Sequence, residues 1–276
     1  NTSLLYVSNL GTNDVTVYTY RNGGGLLLVG TLTGFSYPTG MCTDKVGNVW
    51  VPDAGSGAVY EFAHGGTSPI DTIRQTGNSR PYDCSVDLST GKLAVANQSG
   101  GQFPNGNVKI YAKGSHSGVK YEAPHDAQVD FLAYDDKSDL FVDGTQATYG
   151  AGLYELPRGH HQFTTLTLSG GQLYSPGAIQ WLNPTLLVGD AGQQGQGSPV
   201  ADKIFVYGTT ATILGVVSFA NTQDTYGFWR RGKRIIVPDH LGNAVEMYAL
   251  SNGAPISTLT TGISLPFGAV VSQSTR

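Results

Sequence analysis

Residues 38–76 decide the fold: Pro38-Thr39-Gly40, then Gly47-Asn48-Val49-Trp50-Val51-Pro52-Asp53, then Val59-Tyr60-Glu61-Phe62, a glycine turn at His64-Gly65-Gly66, and Pro69-Ile70-Asp71-Thr72-Ile73. Short runs of β-branched and aromatic residues bounded by Gly, Pro and Asp are strands joined by tight turns. The stretch holds four such runs, and the same order recurs along the chain.

The step ending at Asp53 has five relatives: Leu5-Tyr6-Val7-Ser8-Asn9, Leu93-Ala94-Val95-Ala96-Asn97, Leu140-Phe141-Val142-Asp143, Leu186-Leu187-Val188-Gly189-Asp190 and Ile235-Ile236-Val237-Pro238-Asp239. Their starts lie 44, 44, 47, 46 and 49 residues apart. The middle position is usually apolar too (Tyr6, Trp50, Phe141, Leu187, Ile236), so both faces of these strands are expected to be covered. A second strand with an aromatic or leucine end follows each step, closing at Tyr18, Phe62, Tyr111, Leu156, Tyr207 and Tyr248. The loop between the two is enlarged in three consecutive repeats, at Gln98–Asn107, Gly144–Gly152 and Ala191–Lys203. A weaker third strand follows a glycine turn. An opening segment led by proline or an aromatic precedes the step: Pro38-Thr39-Gly40, Pro81-Tyr82-Asp83, Pro176-Gly177-Ala178, Tyr226-Gly227-Phe228 and Pro266-Phe267-Gly268. The fourth repeat is irregular there, with Pro124-His125-Asp126 before Val129-Asp130-Phe131-Leu132.

Four strands per unit at this period predict an all-β, six-bladed β-propeller with four-stranded blades. The chain starts on an anchor strand, Leu4–Asn9, and ends on an unpartnered first strand, Phe267–Ser272. The last strand is therefore expected to complete the first blade and close the ring, which removes an exposed edge. The expected organisation is one domain over 1–276, with blades near 267–276 plus 1–33, 38–76, 81–122, 126–168, 174–218 and 224–261.

Only 13% of the residues are charged and 38 are glycine, which fits tight-turned β structure. A net charge of -4 gives no general attraction to nucleic acid or anionic membrane. No apolar run is long enough to span a bilayer as a helix. The residue usage resembles that of exported proteins and predicts a secreted or periplasmic monomer, and the Asn1-Thr2-Ser3 start reads as a mature or trimmed chain. Cys42 and Cys84 lie near the openings of neighbouring repeats. A disulfide and a pair of buried thiols both stay open, since their offsets from the preceding proline differ by one residue and a one-residue step reverses side-chain direction in a strand.

The Pro-x-Gly…Gly-Asn-Val-Trp-Val…Asp pattern of Pro38–Asp53 resembles NHL-repeat propellers and the six-bladed gluconolactonase and senescence-marker group. The resemblance covers the whole chain as blade grammar. It implies a divalent metal, Ca or Zn, at the channel mouth, held by Glu, two Asn and Asp. Arg80-Pro81-Tyr82-Asp83 is similar to that group's Arg-Pro-Asn-Asp segment, with Tyr82 where a ligand Asn would be. No glutamate lies at a blade opening, so the metal-site motif is not retained and the direct reading is no cofactor.

Opening segments and anchor loops share one face of a propeller. That face would carry Tyr37, Arg80, Tyr82, Tyr174, Tyr226, Trp229 and Phe267 as ligand-binding candidates. Aromatic faces stack on a ligand while amides and carboxylates orient it, which suits a small molecule, a glycan or a protein partner. Packing between blades or across the channel is the alternative use of the same aromatics. The anchor Asn and Asp residues read as strand-ending side chains that bond nearby backbone N–H groups. Asp83, His125, Asp126 and Asp130 are the candidates for acid–base or metal chemistry. Gly-x-Ser-x-Gly, His-Glu-x-x-His and phosphate-loop motifs are missing. The functional expectation is a binding propeller acting through this face. The alternative is a gluconolactonase-like metal-dependent hydrolase with an altered site, so whether the protein is an enzyme stays open.

Overall fold

The computed structural model describes residues 2–21, 25–76, 79–99, 106–122, 128–145, 150–192, 203–207 and 211–273. Each repeat folds as a four-stranded antiparallel sheet, and six such sheets occur among the described residues. The first pairs Pro266–Ser272, Ser3–Asn9, Asp14–Tyr20 and Leu28–Leu32 in that order. The second holds Cys42–Thr43, Val49–Asp53, Ala58–Phe62 and Pro69–Arg74. The third holds Ser79–Val86, Leu93–Ser99, Asn107–Tyr111 and Gly118–Glu122. The fourth holds Leu132–Tyr134, Leu140–Thr145, Ala151–Leu156 and Thr164–Leu166. The fifth holds Pro176–Leu182, Thr185–Asp190, Lys203–Tyr207 and Ile213–Ser218. The sixth holds Trp229–Arg231, Arg234–Asp239, Ala244–Ala249 and Pro255–Leu259. The chain is a β-propeller with four-stranded blades and, among the described residues, no helix.

The pattern of the anchor step sets the packing. Its first and third residues face the preceding sheet and its middle residue faces the following one. Val49 and Val51 pack with Tyr6 of the first sheet. Trp50 points the other way and packs with Val95 of the third. Ala94 in turn meets Leu140 and Val142 of the fourth. Leu187 sits with Ile235 and Val237 in the cluster that joins the fourth, fifth and sixth sheets, and Ile236 meets Leu5 and Val7 of the first. Apolar seams thus join each consecutive pair of sheets and also the sixth to the first. Tyr6, Leu187 and Ile236 are each fully buried, as strands covered on both faces require.

Cys42 and Cys84 form a disulfide with their Cα atoms 5.5 Å apart. Cys42 lies opposite Trp50, and Cys84 opposite Val95. Those partners are one step apart in the repeat. The one-residue offset therefore turns Cys42 toward the third sheet and Cys84 back toward the second. Side chains meeting across a seam must leave their own sheets from opposite faces, so the offset favours the bond.

Candidate functional site

The anchor residues lie where the opening segments meet the ends of the anchor strands. The Asp53 carboxylate accepts the N–H groups of Ser36 and Tyr37 at 2.9 and 2.6 Å, and that of Gly55 at 3.2 Å. Asp190 accepts those of Tyr174, Ser175 and Gly192. Asp239 accepts those of Gln223, Asp224 and Gly242, and Asn9 that of Ser264. Each of these four anchors ends its own strand and ties down the segment that opens the same sheet, which is the strand-ending role expected of them. Asn97 of the third sheet differs: its amide N–H groups go to the Val95 carbonyl and the Asn107 side chain, and its buried side-chain oxygen accepts no bond among the described residues.

The fourth repeat departs from this scheme. Counted from Leu140, the anchor position falls on Gly144, where a Cβ would lie 1.6 Å from the Gln128 carbonyl oxygen. No side chain fits there, so the acidic residue sits one place earlier and faces the fifth sheet. Asp143 accepts the N–H of Phe131 at 2.9 Å and, across the seam, that of Gly177 at 3.0 Å. Asp130 supplies the missing anchor by accepting the Thr145 N–H at 3.1 Å.

The first strands of the first, third and fifth sheets each carry a bulge near their start. In the third sheet the extra residue is Tyr82, set between Pro81 and Asp83. Bulges re-aim side chains, and this one turns Tyr82 inward. Its ring lies 5.0 Å from Phe267 of the first sheet and 5.7 Å from Phe131 of the fourth. Phe267 stacks on Phe131 at 6.2 Å and on Tyr226 of the sixth sheet at 5.3 Å. These rings therefore connect the first, third, fourth and sixth sheets. Phe131 and Phe267 are buried, whereas Tyr82 and Tyr226 are half-buried. The four rings form an aromatic plug just below the mouth.

Three of the sequence candidates remain around the rim. Tyr37 is 37% exposed and Tyr174 is 42% exposed. The exposed Arg80 lays its guanidinium 5.9 Å from the centroid of the Tyr37 ring. Trp229 is placed elsewhere: it packs in the seams that flank the first sheet and does not join the plug. Of the acid–base candidates, His125 and Asp126 lie outside the described residues, as do 100–105, 146–149 and 193–202 of the enlarged loops.

Asp83 and Asp130 come together with Asp143 beneath the rim. Asp83 accepts the Leu132 N–H across the third–fourth seam at 3.3 Å. Burial pushes its carboxyl up to about 8, against the pull of amide bonds from Cys84 and Leu132. Asp130 accepts a side-chain N–H from Gln98 of the third sheet. Its carboxyl is raised by burial and held back by bonds from Gln98 and Thr145. Asp143 is raised well above the usual range by burial and then by the Asp130 charge. Their oxygens face N–H and O–H donors, an arrangement that suits hydrogen-bonded acids spanning two seams.

Sequence reading missed Phe131 and His240. Phe131 completes the plug, and its signal was its place two residues after Val129 in the irregular opening. The His240 ring packs edge-on against Tyr226, with centroids 5.9 Å apart. It directly follows the anchor Asp239, the position that an anchor loop presents to the mouth.

No family model and no curated protein matches the sequence. Solved structures match over nearly all of it. A chain in the crystal structure of a nidogen/laminin complex is similar with a TM-score of 0.76 and 13% identity, over 99% of each chain. A protein of unknown function from Bacteroides caccae is similar with a TM-score of 0.69 and 13% identity, over 99% of this chain and 100% of that one. At this identity the likeness is one of fold, and that fold is the β-propeller.

Proposed function

We propose that the protein is an exported, monomeric binding propeller of six blades that receives its partner on the mouth face. The observation that carries this reading is the aromatic plug. Tyr82, Phe131, Tyr226 and Phe267 fill the axis, so recognition falls to the rim, where Tyr37, Arg80 and Tyr174 stay exposed. Tyr and Arg are the residue types that anchor interfaces. A protein is the occupant we favour over a glycan or small molecule, in keeping with the two-protein complex among the similar structures.

Pairing of Pro266–Ser272 with Ser3–Asn9 and the apolar circuit of seams support a single closed ring over 1–276. Kinship with NHL-repeat and gluconolactonase-type propellers is read at the level of blade grammar. The disulfide supports an oxidising, extracytoplasmic compartment. The hydrolase alternative, with one Ca or Zn ion at the mouth, has less support, because Asp83 and Asp130 already serve amide and hydroxyl donors.

Chemical-shift mapping with a fixed panel of fragments (phenol, indole, glucose and N-acetylglucosamine) tests the reading. The responding residues are expected to cluster on Tyr37, Arg80, Tyr174 and Tyr226. Responses scattered over the outer strands, with none at the mouth, would remove it.

A further inference from the structure

We propose that the sixth-sheet side of the mouth is a site for an organic cation, a guanidinium or ammonium group held between Asp224, His240 and the Tyr226 ring. The proposal rests on the mouth-face reading and assigns the ligand chemistry to one sector of it.

The sector is rigidly placed. The Asp224 N–H is bonded to the Asp239 carboxylate at 3.2 Å, and its carbonyl accepts the His240 N–H at 2.7 Å. The Asp224 side chain is half-buried and takes a hydrogen bond from the Tyr226 hydroxyl. Among the described residues no Lys, Arg or His lies within ion-pair distance of it. Burial raises its carboxyl, while the Tyr226 bond and the nearby His240 pull the other way.

His240 is oriented by the backbone. Its Nδ1 lies 3.3 Å from the Pro266 carbonyl oxygen. A carbonyl can only accept, so the bond requires the proton on Nδ1. In the neutral ring Nε2 then carries a lone pair, and among the described residues that lone pair has no partner.

Among the described residues the sector offers a carboxylate, an imidazole lone pair and the Tyr226 ring backed by Phe267, which favour positive charge. Among the described residues no side-chain cation faces an anion here, and a neutral ligand gains nothing from the Asp224 charge. A planar guanidinium can give N–H bonds to Asp224 and to Nε2 of His240 beside the Tyr226 ring. The exposed rim cation Arg80 already covers Tyr37 on the second- and third-sheet side, which leaves the sixth-sheet side for a cation brought by the ligand.

The test uses the full chain, calorimetry and imidazole nitrogen spectra. Methylguanidinium reports the headgroup alone, Nα-acetylarginine amide reports a peptide side chain, and Nα-acetylcitrulline amide is the neutral isostere. The arginine derivative is expected to bind with a Kd on the order of 1 mM, to shift the His240 Nε2 and Tyr226 ring signals, and to bind at least tenfold more tightly than citrulline. Binding by methylguanidinium as well assigns the site to free cations and side chains alike; binding by the arginine derivative alone assigns it to a peptide. Asp224→Asn is expected to weaken binding at least tenfold. His240→Gln, which keeps an acceptor, should retain binding that His240→Leu loses, each in protein of unchanged Tm. Equal binding of citrulline, or no cation binding, overturns the proposal. If neutral fragments still map to the mouth in that case, the binding-face reading survives; if they do not, both fall.

Discussion

Asp83 carries a titration consequence. Its carboxyl lies near 3.9 in an unfolded chain and at about 8 in the fold. The folded state therefore holds the proton more tightly. The stabilisation is complete below about pH 4 and is lost as pH rises toward and through about 8. Asp130 and Asp143 shift in the same direction. The melting temperature is expected to fall between pH 5 and pH 9, a range in which ordinary carboxylates no longer titrate. Asp83→Asn, a permanent neutral isostere, should flatten that slope, and calorimetric melting of both proteins across the range measures it. A wild-type Tm that rises with pH would contradict the assignment. Asp83 was legible in the sequence as a titratable group near the channel. Asp130 was legible in the same way, but the meeting of both with Asp143 was not, because the one-residue displacement of Asp143 depends on a backbone approach at Gly144 that no local pattern announces.

At the scale of the strand, the anchor bonds turn a repeat into a blade. Asp53→Ala would strand the N–H groups of Ser36, Tyr37 and Gly55, of which the first two are part of the opening segment. Hydrogen bonds to a charged group contribute about 1.5–3 kcal/mol, and a loss of that order is expected in urea unfolding. Asp71→Ala, on an outer strand where it pairs with the exposed His116, should cost well under 1 kcal/mol. Equal losses in the two variants would refute the anchor role. The strand grammar was readable because the anchor step alternates between two covered faces, and that alternation survives in every repeat. The bulge that aims Tyr82 was less readable. Pro81-Tyr82-Asp83 marks an opening segment, but which residue leaves the ladder depends on the register against Leu93–Ser99. Trp229 was drawn to the mouth by its neighbours Tyr226 and Phe228. The parity of Trp229–Arg231 instead sends it into the seams.

For the whole molecule, the disulfide and the plug act on different problems. Cys42 and Cys84 are 42 residues apart, a loop for which chain-entropy arguments give about 4 kcal/mol of stabilisation. Cys42→Ser/Cys84→Ser, or reduction, is expected to lower the unfolding free energy by that order, with the circular dichroism of the folded state unchanged. A loss indistinguishable from zero would mean that the apolar second–third seam is sufficient alone. The plug brings together rings from the first, third, fourth and sixth sheets, and the recognition surface we propose is the rim. The fold was legible from the period of the repeat, whereas the rim was legible only as a set of aromatics whose burial the sequence left undecided. The measurement that tests the rim most directly is the affinity of phenol, a probe for a partner's aromatic side chain, for wild-type protein and for the Tyr37→Ala/Arg80→Ala/Tyr174→Ala variant. A loss of at least tenfold at unchanged Tm is expected; equal affinity in the two proteins would contradict binding at the mouth.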